Sequence, residues 1–247
     1  MDTLIYSVKF TVQGHDVNAN KYMTIPALLK VMQESSLQHA RKLKTSVWDM
    51  ENEKITWVLI RKEVKIIEHL KMDESFTLLT YPSGFDKFFA YRDYLIFDSN
   101  KKLVVGASST WTLLQTEDRK LMKIPKRILE IGAPKDTKFL TQPEKRIVLP
   151  EEMKKVDLRK VRAYDLDWNN HVNNIVLVRF MMESLKESKV EDDAISKLLI
   201  HFKNELRQGE RAGVYLRDGN QTLYSALMNS DAQKEIAMLK VTLKAND

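Results

Sequence analysis

The stretch Asp165-Leu-Asp-Trp-Asn-Asn-His-Val-Asn-Asn174, running directly into Ile175-Val-Leu-Val-Arg-Phe-Met-Met182, decides how this chain is read. It packs two acids, four amides and an imidazole ahead of a segment that is apolar at Ile175, Val176, Leu177, Val178, Phe180, Met181, Met182 and Leu185. A helix apolar nearly all round belongs in a core, wrapped by sheet. The polar string therefore stands at the entrance of a buried helix, where the first N–H groups lack partners within the helix and the dipole is positive. Residue types alone support two readings of it equally. Asn and Asp cap helices, and the same groups beside a histidine can polarise a substrate.

Working outward, the flanks read as strands. Residues 157–162 precede the string, and residues 196–206, 212–218, 222–229 and 235–244 follow its helix, which is expected to reach about residue 187. The first half has the same grammar. A strand at residues 4–12 and a polar turn at 13–20 lead to a helix that Thr24 can cap, with Pro26 in its first turn and Ile25, Leu28, Leu29 and Met32 at helical spacing as far as residue 43. Strands then follow at residues 55–66, 76–81, 88–97 and 103–114, with Pro82-Ser-Gly-Phe-Asp and Asp98-Ser-Asn-Lys-Lys as turns. In the first of these strands Ile60, Val64 and Ile66 oppose Arg61, Glu63 and Lys65. Pro125, Pro134, Pro143 and Pro150 punctuate a connector with a short helix near residues 126–131. The expectation is an α+β chain of tandem architecture: an N-terminal domain at 1–133, a linker at 134–152 and a C-terminal domain at 153–247. No residue-level repeat is visible between the halves.

Composition excludes several classes. The 247 residues are 43% hydrophobic and 30% charged, the profile of a globular protein. With no cysteine there can be no disulfide, thiolate metal site or cysteine nucleophile. No His/acid spacing of a metal site appears, and Asp165-x-Asp167-x-Asn169 fails as a calcium loop because Asn170 replaces the needed glycine and Val176 the bidentate acid. Gly106-Ala-Ser-Ser-Thr110 lacks the last glycine of a nucleophile elbow, and 7 glycines leave little material for a phosphate loop, so no cofactor is expected. The N-terminal residues lack a signal peptide's pattern and no run approaches a membrane span, making a cytoplasmic location the default expectation, with no membrane partner. The net charge of +6 favours an acidic partner, yet no zinc-finger, RNP-like or long basic motif points to nucleic acid.

The string Asp165–Asn174 followed by Glu183-Ser184 resembles the active-site motif of the acyl-acyl-carrier-protein thioesterases of plants and bacteria. Trp111-Thr-Leu-Leu-Gln-Thr-Glu-Asp-Arg-Lys-Leu-Met-Lys-Ile-Pro125 resembles the stretch that closes that family's first half, and Lys203-Asn-Glu-Leu-Arg207 its strand bearing a catalytic acid. The resemblance implies a double hot-dog fold, two long helices wrapped by a shared antiparallel sheet, and hydrolysis of fatty acyl thioesters of acyl carrier protein in fatty acid biosynthesis. It places Asp167, Asn169 and His171 on the family's helix-entrance positions and Glu205 on its strand acid. Many members carry a cysteine after that acid, where this chain has Leu206, and a smaller apolar residue at Trp168, whose bulk is expected to reshape the neighbourhood. An acyl-CoA thioesterase of the same fold and a non-catalytic acyl-binding hot-dog protein are the alternatives. A homodimer stays open.

The chemistry stands without the family. Thioester hydrolysis needs a positioned water or a carboxylate nucleophile, and donors for the oxyanion. Glu205 can activate water or attack, His171 can orient it or protonate the thiol, Asn169 can offer an amide N–H, and Asp167 can hold the loop. Against this, period two on a strand puts Glu205 on one face with His201 and Lys203, which reads as a solvated polar face. His15, His39 and His69 read as surface residues. Lys120, Lys123, Lys126 and Arg127, and again Arg159, Lys160 and Arg162, concentrate positive charge suited to an acidic carrier.

Overall fold

The computed structural model describes residues 4–134, 142–231 and 233–245. By its contacts the chain forms two compact units, residues 1–23 with 30–143 and residues 24–29 with 144–247. In the first, β1 (Tyr6–Thr11), β2 (Ile55–Ile66), β3 (Ser75–Phe85), β4 (Phe89–Phe97) and β5 (Leu103–Gln115) pair antiparallel in the order β1-β3-β4-β5-β2, with the short β6 (Leu121–Met122) on β5. Its helices are α1 (Ile25–Lys42), from residue 30 onward, and the single turn α2 (Lys126–Leu129). The second unit holds β7 (Lys154–Lys160), α3 (Asn174–Leu185), β8 (Ile195–Phe202), β9 (Arg211–Arg217), β10 (Thr222–Asn229) and β11 (Glu235–Leu243), ordered β7-β9-β10-β11-β8. Each unit thus lays its first strand on the outside and its second at the opposite end, the same order twice. Among the described residues no helix is long and apolar enough to cross a membrane.

Both helices start where their caps dictate. Thr24 Oγ1 accepts from the Ala27 N–H at 3.3 Å, and the Ile25 N–H donates to Asp192 Oδ1 at 3.0 Å, so two orphan donors of the first turn are satisfied. Asn173 Oδ1 accepts from the Ile175 N–H at 2.9 Å. From that start α3 packs against β7, β9, β10 and β11 and buries Leu177, Val178, Phe180, Met181, Met182 and Leu185. Each such side chain contributes about 1.5–3 kcal/mol on burial. The helix is less uniformly interior than its composition suggests, since Arg179 and Glu183 are exposed.

Three local expectations change. Strand β3 runs on through Pro82 to Phe85, and a bulge between Pro82 and Gly84 accommodates a residue without an N–H to donate. The turn falls instead at Asp86, whose Oδ1 accepts from the N–H groups of Phe88 and Phe89, both at 2.9 Å. In β2 the register shifts between Leu59 and Arg61, and beyond it Lys62 and Glu63 are both buried although alternation sets them on opposite faces. Finally, β8 stops at Phe202. The N–H groups of Lys203 and Asn204 converge on the one carbonyl of Ile236, at 2.8 and 3.2 Å, and that double approach breaks the ladder. Glu205 therefore lies on an irregular segment, and the period-two argument that set it beside His201 does not apply.

Candidate active site

The loop before α3 is held by its own backbone. Asp165 is buried, its carboxylate accepting from the Arg162 N–H at 2.9 Å and from Arg179 Nη2 at 3.1 Å. The Asp167 N–H donates to the His171 carbonyl at 2.9 Å and Asn170 N–H to the Asp167 carbonyl at 3.0 Å, closing a turn in which Asn170 takes φ 58°, a left-handed conformation that Asn tolerates. Asp167 Oδ1 accepts from the Asn169 N–H at 2.8 Å. The Val172 N–H then donates to the Leu206 carbonyl at 2.9 Å, which docks the segment carrying Glu205 against the loop.

The result is that three of the four residues expected from sequence meet through their side chains. Asn169 Nδ2 lies 3.4 Å from His171 Nδ1, and His171 Nε2 lies 3.2 Å from Glu205 Oε2. With the amide donating to Nδ1, the neutral imidazole carries its proton on Nε2 and directs it at the carboxylate. The His171 side chain is 17% exposed and that of Glu205 34%, so the pair is anchored on one side and open to solvent on the other. Asp167 reaches the set through the Asn169 backbone. Leu206, where a cysteine would stand, is fully buried. The Trp168 ring is 60% exposed and Tyr164 wholly so, which leaves the bulk of Trp168 largely in solvent.

A residue-level repeat, invisible in the sequence, appears in these hydrogen bonds. In the first unit Asn18 N–H donates to the Tyr22 carbonyl at 2.9 Å, Lys21 N–H to the Asn18 carbonyl at 2.9 Å, and Asn20 N–H to Asn18 Oδ1 at 3.0 Å. Lys21 has φ 63°, as Asn170 has φ 58°. The Met23 N–H donates to the Leu70 carbonyl at 2.8 Å, the counterpart of Val172 and Leu206. Asp16, Asn18, Asn20, Tyr22 and Thr24 thus answer Asp165, Asp167, Asn169, His171 and Asn173, and His69 answers Glu205. Where the second unit pairs His171 with Glu205, the first sets the Tyr22 and His69 rings edge to face at 6.3 Å. This comparison separates the two readings of the polar string. The turn is closed in both copies by Asn18 or Asp167 and the helix capped by Thr24 or Asn173, so neither the imidazole nor the carboxylate is needed for these duties.

Two other expectations fail. His39 is buried, 1% exposed, and its Nδ1 lies 3.0 Å from Arg92 Nη1. Much of the expected basic surface is neutralised: Lys120 pairs with Asp118 at 2.6 Å, Lys126 with Glu130 at 3.5 Å, Arg127 with Glu53, and Arg159 with Asp157 at 2.5 Å and Glu183 at 3.0 Å. Lys123, Lys160 and Arg162 pair with no carboxylate among the described residues. Nor, among them, do three or more His, Asp or Glu gather as a metal site would require.

One helix on one antiparallel sheet, twice over with the same strand order and the same helix-entrance turn, defines a tandem hot-dog protein with its chemically equipped entrance in the second unit. Comparison with known proteins agrees. Residues 3–131 match the acyl-ACP thioesterase N-terminal domain and residues 149–244 the C-terminal domain, and the chain belongs to the acyl-ACP thioesterase family. It is 25% identical to oleoyl-acyl carrier protein thioesterase 1 of Arabidopsis thaliana over 85% of this chain and 62% of that protein. To the acyl-[acyl-carrier-protein] hydrolase FATB3 of Cuphea viscosissima it is 20% identical over 96% of this chain and 62% of the relative. The chain spans about three fifths of these chloroplast proteins' length. The fold is that of the solved 12:0-ACP thioesterase from Umbellularia californica, with TM-score 0.82 at 17% identity over 98% of both chains. An acyl-ACP thioesterase from Bacteroides thetaiotaomicron aligns with TM-score 0.80 at 18% identity over 98% of this chain and 99% of its own.

Proposed function

We propose that the protein hydrolyses the thioester between a fatty acyl chain and acyl carrier protein, with Glu205 as general base, His171 and Asn169 holding it in place, and Asp167 anchoring the loop. The observation that carries this reading is the His171–Glu205 pair at 3.2 Å, on a scaffold whose first-unit copy does without both groups. A non-catalytic binder has no use for that difference. Family membership supports the substrate class.

In this reading each group has a task. The Nε2–H of His171 engages Glu205 Oε2, and the carboxylate, its side chain one third exposed, takes a proton from water. One N–H of the Asn169 carboxamide points at His171, and the other remains for the substrate carbonyl oxygen as negative charge develops there. Loss of one such donor typically costs about 10²–10³ in rate. The leaving thiolate, the conjugate base of a group far more acidic than an alcohol, departs readily and recovers the proton from Glu205.

The carrier reading is tested by hydrolysis of one acyl chain on acyl carrier protein and on CoA across a salt series. Lys123, Lys160 and Arg162 are the cations left to steer an acidic carrier, and steering is screened over a Debye length of about 8 Å at physiological ionic strength. The rate on the protein carrier should fall more steeply with salt than the rate on CoA. Equal slopes, or a clear preference for CoA, would instead favour an acyl-CoA thioesterase.

A further inference from the structure

The segment that carries Glu205 is built twice. In the second unit the N–H groups of Lys203 and Asn204 converge on the Ile236 carbonyl, and in the first those of Ile67 and Glu68 converge on the Val104 carbonyl, at 2.8 and 3.1 Å. The Leu206 and Leu70 carbonyls then accept from the two helix-entrance loops, which sets Asn204 against Glu68 as it sets Glu205 against His69. The turns that follow agree as well. Glu210 Oε2 accepts from the Arg207 N–H at 2.6 Å and the Glu210 carbonyl from the Val161 N–H at 2.9 Å. Glu74 Oε2 accepts from the Lys71 N–H at 2.9 Å and the Glu74 carbonyl from the Val12 N–H at 3.0 Å. The bonds that break the strand and turn the chain are therefore all present in a copy that has no carboxylate at the Glu205 position.

Beside Glu205 stands one bond with no counterpart among the described residues of the first unit. Asn204 Nδ2 donates to the Glu235 carbonyl at 2.7 Å, so Asn204 is tied to β11 twice, through its main chain to Ile236 and through its side chain to Glu235. Glu68, in its place in the first unit, turns its carboxylate to Lys102 and, when ionised, has no side-chain donor to give the neighbouring strand. The second tie matters because the first is weak. The Asn204 N–H shares its acceptor with Lys203 and is the longer of the two bonds, at 3.2 Å, and a chain held at one shared point can pivot there. With the carboxamide in place the main chain is held on both sides of Glu205, by Asn204 before it and by the Val172–Leu206 bond after it.

Resting on the assignment of Glu205 as general base, we propose that Asn204 is a positioning residue, whose carboxamide fixes the main chain from which the Glu205 carboxylate reaches His171 and water. It acts through Glu205 rather than on the substrate. Asn204 is exposed, so water can satisfy both partners when the bond is lost and the fold loses little. Water cannot tether the segment, however, and a misplacement of about 1 Å at a reacting group costs up to about 10²-fold in rate.

The test measures kcat and KM on one acyl carrier thioester in the full chain, with melting curves and circular dichroism to check the fold. Asn204→Ala, and Asn204→Asp, which keeps the shape but cannot donate when ionised, should each lower kcat about tenfold with KM and melting temperature little changed. Asn204→Asp serves if Asn204→Ala fails to fold. Lys203→Ala, which removes an exposed ion pair with Glu235 from the same strand end, should leave kcat unchanged. In a chain already carrying Glu205→Gln, Asn204→Ala should cost less than about twofold more, because no base remains to be positioned. Wild-type kcat in the folded Asn204 variants, an equal loss in Lys203→Ala, or a further tenfold loss on top of Glu205→Gln would overturn the proposal. A slow Glu205→Gln beside an unimpaired Asn204→Ala removes only the role of Asn204, whereas a Glu205→Gln variant at near wild-type rate removes the general base and this role with it.

Discussion

Replacing Glu205 by Gln isolates the carboxylate's charge from its shape. The carboxamide oxygen can still accept from His171 Nε2–H at the 3.2 Å separation of the native pair, so the loop and the imidazole stay in place. With its side chain 34% exposed, Glu205 accepts from a neutral imidazole at the edge of solvent, and such a hydrogen bond contributes about 1 kcal/mol. For a chain of this length that is a melting shift below about 4 °C. The rate responds differently, because a carboxamide takes no proton from water. A general base contributes about 10²–10⁴-fold, or roughly 3–5.5 kcal/mol of barrier, so kcat should fall by at least about 10² with little change in KM. His171→Ala removes the donor that fixes the carboxylate, and the double variant should lose less than the product of the two single losses, since both act on one water. Glu205→Asp should retain more than Gln, and Leu206→Ala, which removes no reactive group, should lose less than Glu205→Gln. Thiol release from the best acyl thioester, with melting curves alongside, measures all of these. A folded Glu205→Gln variant working at near wild-type rate refutes the assignment.

Three further outcomes follow from other parts of the structure. Lys62→Met, which trades a buried ammonium held over the Tyr94 ring for an apolar side chain of similar length, should raise stability by about 1–4 kcal/mol at neutral pH. Because the folded-state value of Lys62 lies below the ordinary 10.5, the unfolded chain binds more protons between the two values, so the wild type gains stability as pH rises through that window and the gap to Lys62→Met should narrow; a constant gap would refute the burial cost. At the β3–β4 turn Asp86 is raised by burial but lowered further by the Phe88 amide, the Tyr91 hydroxyl and the Phe89 amide, to a net value below the ordinary 3.8, while Tyr91 is pushed up to about 12 by burial first and by Asp86 second. Asp86→Ala should therefore cost about 1–3 kcal/mol in a denaturant titration at neutral pH, and the cost should vanish as pH falls through the folded-state value of Asp86. Hydrolysis should survive exhaustive chelation, because the proposed steps run through Glu205, His171 and Asn169; activity lost to chelator and restored by a divalent ion would require another mechanism.

The sequence by itself determined the tandem order of elements, the helix that Thr24 and Pro26 begin, the buried helix after Asn174 and the string that carries Asn169 and His171. These are local properties: hydrophobic periods, caps and turn residues act within a few positions of where they are read. Tertiary structure decided what depends on pairing. Glu205 left its expected strand because Lys203 and Asn204 compete for one carbonyl on β11, a clash set by a partner 30-odd residues away. The roles of the four amides separated only when the first unit showed the same turns with Tyr22 and His69 in place of His171 and Glu205, a repeat carried by backbone hydrogen bonds rather than by residue identity. The row of Lys62, Ser109 and Arg92 was equally hidden, since only the register of β2, β4 and β5 brought one charged residue from each flanking strand beside a serine of the middle one. Periodicity shows which way a side chain points only until a strand shifts register, and what it meets there is a property of the sheet.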